Sequence, residues 1–308
     1  MIGIDVGGAN LKVVSDTGSA ILYCPLWTGA PIADHLRPYA GDDAAVVMSG
    51  ELADCFASKY EGVRFIVNQV RSVFPDARFY GIDGRFHTGP TPSLAAANWL
   101  ASAAWLRTAH TDAVLLDIGS TTADIIPLED LEPLLGLTDL ARLQEGYLRY
   151  TGMLRTTVPA IVRSVEIGGR PTPVSSEHFA QSGDVHLLLG HIRAEDYTSR
   201  TPDGGPVTRE GALRRLARVV CADLEELGEE RVLSIARQVW NAQRDEVMSA
   251  VEAAARRGRG SGVLVAGIGA PTFAPLLGAD DLSARLGPLA DALPAHAVRE
   301  LALEETRA

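Results

Sequence analysis

Lysine is nearly missing from this chain of 308 residues, in which only Lys12 and Lys59 accompany 26 arginines. Acidic residues outnumber basic residues by 39 to 28, and the net charge is −11. The chain therefore has no basic surface suited to nucleic acid or to an anionic membrane, and we expect neither partner. A lysine that persists in this background is a candidate functional cation, although a solvated amine is the ordinary alternative.

Cysteines and long apolar runs are also scarce. The three cysteines, Cys24, Cys55 and Cys221, are too few and too widely spaced for a disulfide framework or a thiolate metal site. No apolar run approaches the length of a membrane span, and residues 1–5 begin without the charged and apolar regions of a secretory signal. We therefore expect a cytoplasmic protein.

Two kinds of apolar pattern predict the secondary structure. Short apolar runs between glycine-containing turns predict strands within the first 26 residues and at 44–48, 78–82, 113–117, 123–126 and 261–267. Apolar residues at helical spacing predict helices over 61–74, 91–109, 208–224 and 228–255.

The length and the element pattern predict two lobes. We expect a first lobe over residues 1–110, a second lobe over 111–283 and a C-terminal helical tail over 284–308. The stretch near 130–207 is rich in glycine, proline and short apolar pieces, and we interpret it as irregular. It would form an insertion in the second lobe, with a substrate-specific cap as its expected role.

A short internal repeat is the most informative feature of the sequence. Residues 4–14 align with residues 116–126: in both, an apolar strand leads into an aspartate, an apolar residue and a glycine, followed by a small polar turn and a returning strand. Asp5 falls on Asp117 in this alignment. The repeat predicts two similar lobes that face each other, and each lobe would contain one of the two hairpins.

Glycine-rich hairpins of this kind suit an anionic ligand. Glycine lets the backbone N–H groups approach an anion closely, and hydroxyl side chains add further donors. Two facing hairpins would hold a phosphate chain from both sides, so the candidate cofactor-binding residues are Gly7, Gly8, Asn10, Gly119, Ser120, Thr121 and Thr122. A third turn, with Gly267 and Gly269, fits a loop under a nucleotide base or, equally, a strand-to-helix turn before Pro271.

Five charged residues are the candidate catalytic groups. Asp5 and Asp117 would hold Mg²⁺ directly or through water, since this cation prefers carboxylate and phosphate oxygens; an ordinary turn aspartate is the alternative. Lys12 could reach a phosphate chain as a point charge. Asp124 could orient a metal-bound water, serve as a base or pair with Lys12, and Glu51 follows a buried strand as another candidate base.

The two hairpins and the third glycine turn resemble the phosphate-1, phosphate-2 and adenosine motifs of the actin, Hsp70 and sugar-kinase superfamily. Residues 4–12 and 117–124 are most similar to its hydantoinase/oxoprolinase branch. Residues 48–63 and 95–99 are similar to the tetrahydromethanopterin-linked C1-transfer pathway proteins, the group that includes the methanofuran-biosynthesis synthase. The resemblance implies an α/β, two-lobed, ribonuclease H-like fold with a central cleft.

The resemblance also implies a transferase activity. Such an enzyme joins a furanylmethyl diphosphate to the phenol of a γ-glutamyltyramine- or tyrosine-type acceptor and releases diphosphate, in methanofuran-like C1 carrier biosynthesis. Its partners would be the small-molecule diphosphate and the phenolic acceptor, with Mg²⁺ as cofactor. The same motifs leave open an ATP-dependent small-molecule kinase, an oxoprolinase-like hydrolase, or a non-catalytic nucleotide-regulated binding protein. No pattern indicates the oligomeric state.

Overall fold

The computed structural model of the protein describes residues 1–258 and 262–307. Its strands are β1 (Ile2–Val6), β2 (Asn10–Ser15), β3 (Gly18–Tyr23), β4 (Ala44–Met48), β5 (Arg78–Tyr80), β6 (Phe86–His87), β7 (Ala113–Ile118), β8 (Ala123–Pro127), β9 (Leu148–Arg149), β10 (Ser164–Ile167), β11 (Arg170–Pro173), β12 (Gly262–Ala266) and β13 (Asp280–Asp281). Ser261, where the predicted strand 261–267 begins, and Ala308, the last residue of the predicted tail, lie outside the described residues.

The helices lie between groups of these strands and after the last strand. They are α1 (Ile32–Leu36), α2 (Lys59–Arg71), α3 (Asn98–Arg107), α4 (Asp139–Glu145), α5 (Val158–Ile161), α6 (Ser182–Leu189), α7 (Arg209–Arg218), α8 (Leu224–Leu227), α9 (Glu229–Arg257), α10 (Ala270–Leu277), α11 (Leu282–Leu286) and α12 (Leu293–Arg307). Within the described chain, none of them has the length and apolar character needed to cross a bilayer.

The two large sheets share one topology. The first has the order β3-β2-β1-β4-β5 with β6 added at its edge, and the second has the order β9-β8-β7-β12-β13. In both, the first three strands form an antiparallel meander and the last two run parallel to the first strand. The α/β fold with two ribonuclease H-like lobes, which the sequence resemblance implied, is therefore confirmed.

The strand register confirms the alignment of the internal repeat. Asp5 lies opposite Lys12 across β1 and β2, and Asp117 lies opposite Asp124 across β7 and β8. Because opposite residues on adjacent antiparallel strands are close neighbours, each aspartate lies beside the matching residue of its own hairpin. The second hairpin thus places two carboxylates together where the first places a carboxylate and an amine.

The C-terminal helix α12 packs against the first sheet, on β1 and β4, and against α3. This close packing requires the glycine at position 3, because a Cβ atom there would clash with the carbonyl oxygen of Ala295. A continuous apolar cluster extends from Val47 of β4 to Leu115 of β7 and Leu264 of β12, and so joins the two sheets. The divisions at residues 110 and 283 stay predictions.

Two predicted helices are interrupted by residues in the left-handed region. The single helix over 91–109 is wrong: a short 3-10 turn covers Pro92–Leu94, Ala96 has φ 51°, and α3 begins only at Asn98. The helix over 208–224 is also wrong, because α7 ends at Arg218 and Cys221 has φ 57°. Apolar spacing continues through both breaks, so the pattern alone could not reveal them.

The interpretation of 130–207 as irregular is wrong. The segment contains α4, α5, α6 and the hairpin of β10 and β11. Together with α7 and α9 it buries a separate apolar cluster that includes Val158, Val185 and Leu216. Its interior also holds an ion pair between Asp184 and Arg215, with 2.7 Å between Oδ1 and Nη2.

The packing of α12 gives a stability prediction. We expect Gly3→Ala to lower the free energy of unfolding by about 1–3 kcal/mol, because the added methyl group must displace the helix backbone. Gly89→Ala is the control: a Cβ atom there meets no atom within 4 Å, and we expect a change within about 0.5 kcal/mol. Thermal or urea unfolding of both variants measures the effect, and equal stabilities would contradict the packing argument.

Candidate active site

A cavity of about 550 Å³, here called the main cleft, opens between the two repeated hairpins. It is lined by residues from both lobes, and these include most of the predicted site residues: Asp5, Gly7, Gly8, Asn10, Lys12, Glu51, Asp117, Gly119, Ser120, Thr121, Thr122 and Asp124. The topology brings these residues together because both hairpin turns follow the first strand of their sheets. The cleft also contains residues that sequence reasoning missed, Trp27, Arg142, Tyr150 and Arg155.

The two hairpin turns close in the same way. The N–H of Gly7 donates to the carbonyl of Asn10 at 3.0 Å, and the N–H of Gly119 donates to the carbonyl of Thr122 at 2.9 Å. Among the described residues, no protein acceptor takes the N–H groups between these closures, those of residues 8–9 and 120–121. Unpaired N–H groups on glycine-rich turns are suited to an anion such as a phosphate.

A buried polar network supports the second hairpin turn. A Cβ atom on Gly152 would come within 2.6 Å of the backbone of Thr121, so this segment lies directly against the turn. The Gln243 Nε2 donates to the Thr151 hydroxyl and to the Gly152 carbonyl, both at 2.9 Å, and its Oε1 lies 3.0 Å from the His186 Nε2. Burial lowers the pKa of His186 to about 3, so the ring is neutral and serves the network.

Lys12 interacts with carboxylates of both repeats. Its Nζ lies 3.7 Å from the Asp5 Oδ2, while the buried Asp5 Oδ1 has no hydrogen-bond partner among the described residues. Burial raises the pKa of Asp5, and Lys12 opposes that shift. Burial, and then the charge of Asp124, raise the pKa of Asp117 to about 7, and Lys12 again opposes the shift. The two hairpins therefore face each other across one lysine.

Asp124 pairs with Arg142 and not with Lys12. The Arg142 Nη2 bonds the Asp124 carboxylate, and its Nη1 donates to the Asp139 Oδ1 at 3.0 Å. The guanidinium also lies 4.3 Å from the ring centroid of Trp99, a cation–π distance. Burial raises the pKa of Asp124 and the charge of Arg142 opposes this. Within the described residues, the suggested ion pair of Asp124 with Lys12 is not formed because Lys12 lies beside Asp5, although the charge of Lys12 still lowers the pKa of Asp124.

Glu51 is an isolated buried carboxyl group. Its side chain is 1% exposed, and its Oε2 has no hydrogen-bond partner among the described residues. Burial raises the pKa of Glu51 to about 7, which the backbone N–H groups of Glu51 and Ala96 only partly oppose. Ala96, which bonds this carboxyl group, has a left-handed backbone conformation. Strained backbone of this kind is typical of functional sites.

The third glycine turn lies behind the second hairpin. Gly267 has φ 80°, and a Cβ atom there would lie 2.5 Å from the Ile118 carbonyl oxygen. Gly269 precedes α10, whose first turn contains Pro271, and neither glycine lines the main cleft. This geometry matches the strand-to-helix alternative, and a ligand role for the two glycines stays a prediction.

The residues present fit a magnesium ion that arrives with a phosphate ligand. Over residues 1–258 and 262–307, no three His, Cys, Asp or Glu side chains converge into a metal site. Mg²⁺ is usually held by one or two carboxylates together with phosphate oxygens and waters. Asp5, with its unpartnered Oδ1, and Asp117 across the cleft provide such carboxylates.

Two lobes of equal topology, with glycine-rich hairpins that present free N–H groups to a shared cleft, define a two-lobed ribonuclease H-like protein with a site suited to phosphate groups. The chain belongs to the hydantoinase/oxoprolinase family, whose family model matches residues 42–280. The family resemblance seen in the sequence is therefore confirmed.

Two relatives carry the same name, (4-{4-[2-(gamma-L-glutamylamino)ethyl]phenoxymethyl}furan-2-yl)methanamine synthase. The protein from Methanocaldococcus jannaschii is 36% identical over 283 residues, which cover 87% of this chain and 86% of the relative. The protein from Methanococcus vannielii is 34% identical over 156 residues, which cover 51% of this chain and 70% of the relative.

Solved structures with a similar chain path have low identities. A ROK family glucokinase from Streptomyces griseus, in complex with glucose and AMPPNP, has a TM-score of 0.40 and 13% identity over 96% of this chain and 97% of its own. The activator of the 2-hydroxyisocaproyl-CoA dehydratase from Clostridium difficile, with bound ADPNP, has a TM-score of 0.44 and 12% identity. The match covers 100% of this chain and 97% of the activator chain. A nucleotide-free acetone carboxylase has a TM-score of 0.48 and 11% identity, and the match covers 94% of this chain and 51% of the carboxylase chain. The fold assignment rests on the strand order alone.

The pair of Arg142 and Asp124 gives a second stability prediction. We expect Arg142→Met to cost about 3 kcal/mol of unfolding free energy, since it leaves a carboxylate without its cation in a largely buried place. Adding Asp124→Asn should recover a large part of this loss, because the uncompensated charge is then gone. Urea unfolding of the two single variants and the double variant measures the coupling. Strictly additive losses would contradict it.

Glu51 gives a prediction for the pH dependence of stability. Its pKa is about 7 in the folded protein against 4.5 in the unfolded chain, so the folded state binds more protons between these values and stability falls as pH rises through this window. We expect Glu51→Gln to leave stability unchanged near pH 4.5 and to raise it by on the order of 3 kcal/mol at pH 8.

Glu304→Gln, on the exposed surface of α12, is the control for Glu51→Gln and should follow the wild type at every pH. Thermal unfolding from pH 4.5 to pH 8 measures all three proteins. A stability difference between Glu51→Gln and the wild type that does not change with pH would show that Glu51 has an ordinary pKa.

Proposed function

We propose that the protein is an enzyme that forms an aryl ether in the biosynthesis of a methanofuran-like C1 carrier. It would join a furanylmethyl diphosphate to the phenol of a γ-glutamyltyramine- or tyrosine-type acceptor and release diphosphate. The observation that carries the proposal is the 36% identity, over most of both chains, to a relative named as synthase of a phenoxymethylfuran with a γ-glutamylaminoethyl group. The expected cytoplasmic location and the expected lack of nucleic-acid partners stay predictions.

In this reaction the C–O bond to diphosphate breaks as the phenol oxygen bonds the same methylene carbon. The free N–H groups of the two hairpins and the Lys12 ammonium would hold the departing diphosphate. Asp5 and Asp117 would hold Mg²⁺, which supplies positive charge to the leaving group when bound. Placing both substrates in one cleft replaces an encounter in solution with a preset geometry.

The phenol must lose its proton as the ether forms, and Glu51 is the most suitable base in the cleft. Its Oε2 has no hydrogen-bond partner in the part of the chain that the structure describes, and a pKa of about 7 matches neutral working pH. Asp124 is the weaker candidate because Arg142 holds its carboxylate. The proton would pass from the phenol oxygen to Glu51 and then to solvent.

An ATP-dependent kinase or hydrolase is the second candidate function. The free N–H groups of the two facing hairpins would suit the phosphates of ATP as well as a diphosphate. The two functions differ in the ligand they need, since only the second requires a nucleotide. A comparison of diphosphate with ATP therefore separates them.

The first test compares Mg²⁺ with diphosphate and Mg²⁺ with ATP in thermal unfolding. We expect diphosphate to raise stability by about 2.7 kcal/mol at a hundredfold excess over its Kd, and ATP to act far less at equal concentration. Asp117→Asn should lose this stabilisation, while Glu304→Gln keeps it. Strong stabilisation by ATP together with ATP turnover would replace the transferase proposal with the second candidate.

A second test measures the reaction itself. With the furanylmethyl diphosphate and γ-glutamyltyramine, we expect ether product by mass spectrometry and one diphosphate released per ether. Glu51→Gln should lower kcat roughly 10²- to 10⁴-fold while diphosphate still stabilises the variant, because a base is lost and the anion site is kept. Unchanged kcat in Glu51→Gln would remove Glu51 as the base.

A further inference from the structure

A smaller cavity of about 240 Å³, here called the side cavity, adjoins the main cleft. Both cavities are lined by Asn10, Trp27, Ser120 and Arg155, so they lie side by side. The far wall of the side cavity is the loop of residues 198–202 from the segment of the second lobe that carries its own apolar cluster. Ligand sites usually exceed about 300 Å³, so this cavity suits one end of a molecule whose other end lies in the cleft.

The two cavities differ in charge. The main cleft is lined by six carboxylates, Asp5, Glu51, Asp54, Asp117, Asp124 and Asp139, against one lysine and two arginines. The described residues that line the side cavity include Arg155, Arg200 and His178 and no acidic side chain. No ion pair is formed by Arg155 or Arg200 within the described residues. A cationic cavity in a chain of net charge −11 is suited to a carboxylate, which the arginine fork binds well.

An aromatic ring stands where the two cavities meet. The Arg155 guanidinium from the second lobe lies 5.1 Å from the ring centroid of Trp27, which belongs to the first lobe. Trp27 is 38% exposed, so its ring is available to a flat ligand group. Aromatic rings also pair with one another by offset or edge contacts, and a phenol ring passing from the cleft into the side cavity would meet Trp27.

The far wall is held in place before any ligand arrives. The Gln181 side chain is 3% exposed, and its Nε2 donates to the Tyr197 hydroxyl at 2.9 Å, the Ser199 hydroxyl at 3.3 Å and the Arg200 carbonyl at 3.0 Å. These bonds fix the backbone that carries Arg200. A site built on a fixed backbone loses little entropy when the ligand binds.

We propose that the side cavity binds the amino-acid end of the phenolic acceptor, with Arg155 and Arg200 on its carboxylate and Trp27 beside its phenol ring. This inference rests on the proposed function, because it takes the acceptor from that reaction. A γ-glutamyl amide keeps a free α-carboxylate, and a tyrosine-type acceptor has a carboxylate as well. The phenol oxygen would then face the main cleft, where the diphosphate leaves.

The test uses γ-glutamyltyramine and tyramine, which differ by the amino-acid end, as ligands in calorimetric titrations. Arg200→Met should weaken γ-glutamyltyramine binding roughly 10- to 100-fold and leave tyramine binding unchanged, as expected for loss of a charged hydrogen bond. Arg155→Met should act in the same direction. Arg163→Met, exposed in the same part of the second lobe and outside both cavities, is the control and should bind both ligands as the wild type does.

The outcomes distinguish a failure of the side-cavity assignment from a failure of the proposed function. Equal loss of both ligands in Arg200→Met, no loss of either, or a wild type that binds tyramine as tightly as γ-glutamyltyramine would overturn the side-cavity assignment. Arg200-dependent binding of γ-glutamyltyramine without any ether product would support the side cavity and refute the transferase. Ether formation with an acceptor KM that Arg200→Met does not raise would support the transferase and refute the side cavity.

Discussion

The desolvated carboxylates of the cleft impose the constraint on which the site depends. Asp5, Asp117 and Asp124 lie together where the hairpins meet, and among the described residues their ion pairs are with Lys12 and Arg142. Burial raises the pKa of all three carboxyl groups, so their negative charge is costly in the cleft. A diphosphate entering beside them needs added positive charge, which is the physical reason to expect a divalent cation with it.

The two copies of the internal repeat differ in charge at the position opposite the strand aspartate. Lys12 in the first hairpin corresponds to Asp124 in the second, and the missing cation is supplied from α4 by Arg142. The second hairpin also has its own support, in which Gln243 of α9 bonds the segment beneath the turn. The first hairpin thus contributes a lysine beside Asp5, and the second contributes a turn that is supported from below and has hydroxyl groups.

Opposite charges in adjoining cavities offer a way to sort two substrates. The main cleft is acidic and is suited to a metal-bound diphosphate, whereas the side cavity is cationic and is suited to a free carboxylate. Each substrate would meet repulsion in the cavity of the other unless a cation accompanied it. Under the side-cavity proposal, the segment that supplies Arg200 would decide the choice of acceptor, although it lies far along the chain from either hairpin.

The two hairpins and the carboxylates at their ends could be predicted from the sequence, because a strand, an aspartate and a glycine turn are local features that repeat in register. The resemblance of these motifs to a known family also predicted the two-lobed fold. Three features became visible only in the folded chain: Arg142 pairs with Asp124, Ala96 interrupts a predicted helix near Glu51, and Arg155 contacts Trp27. Such contacts join residues with no periodic or motif relation, so packing brings them together while the pattern of the chain leaves no sign of them.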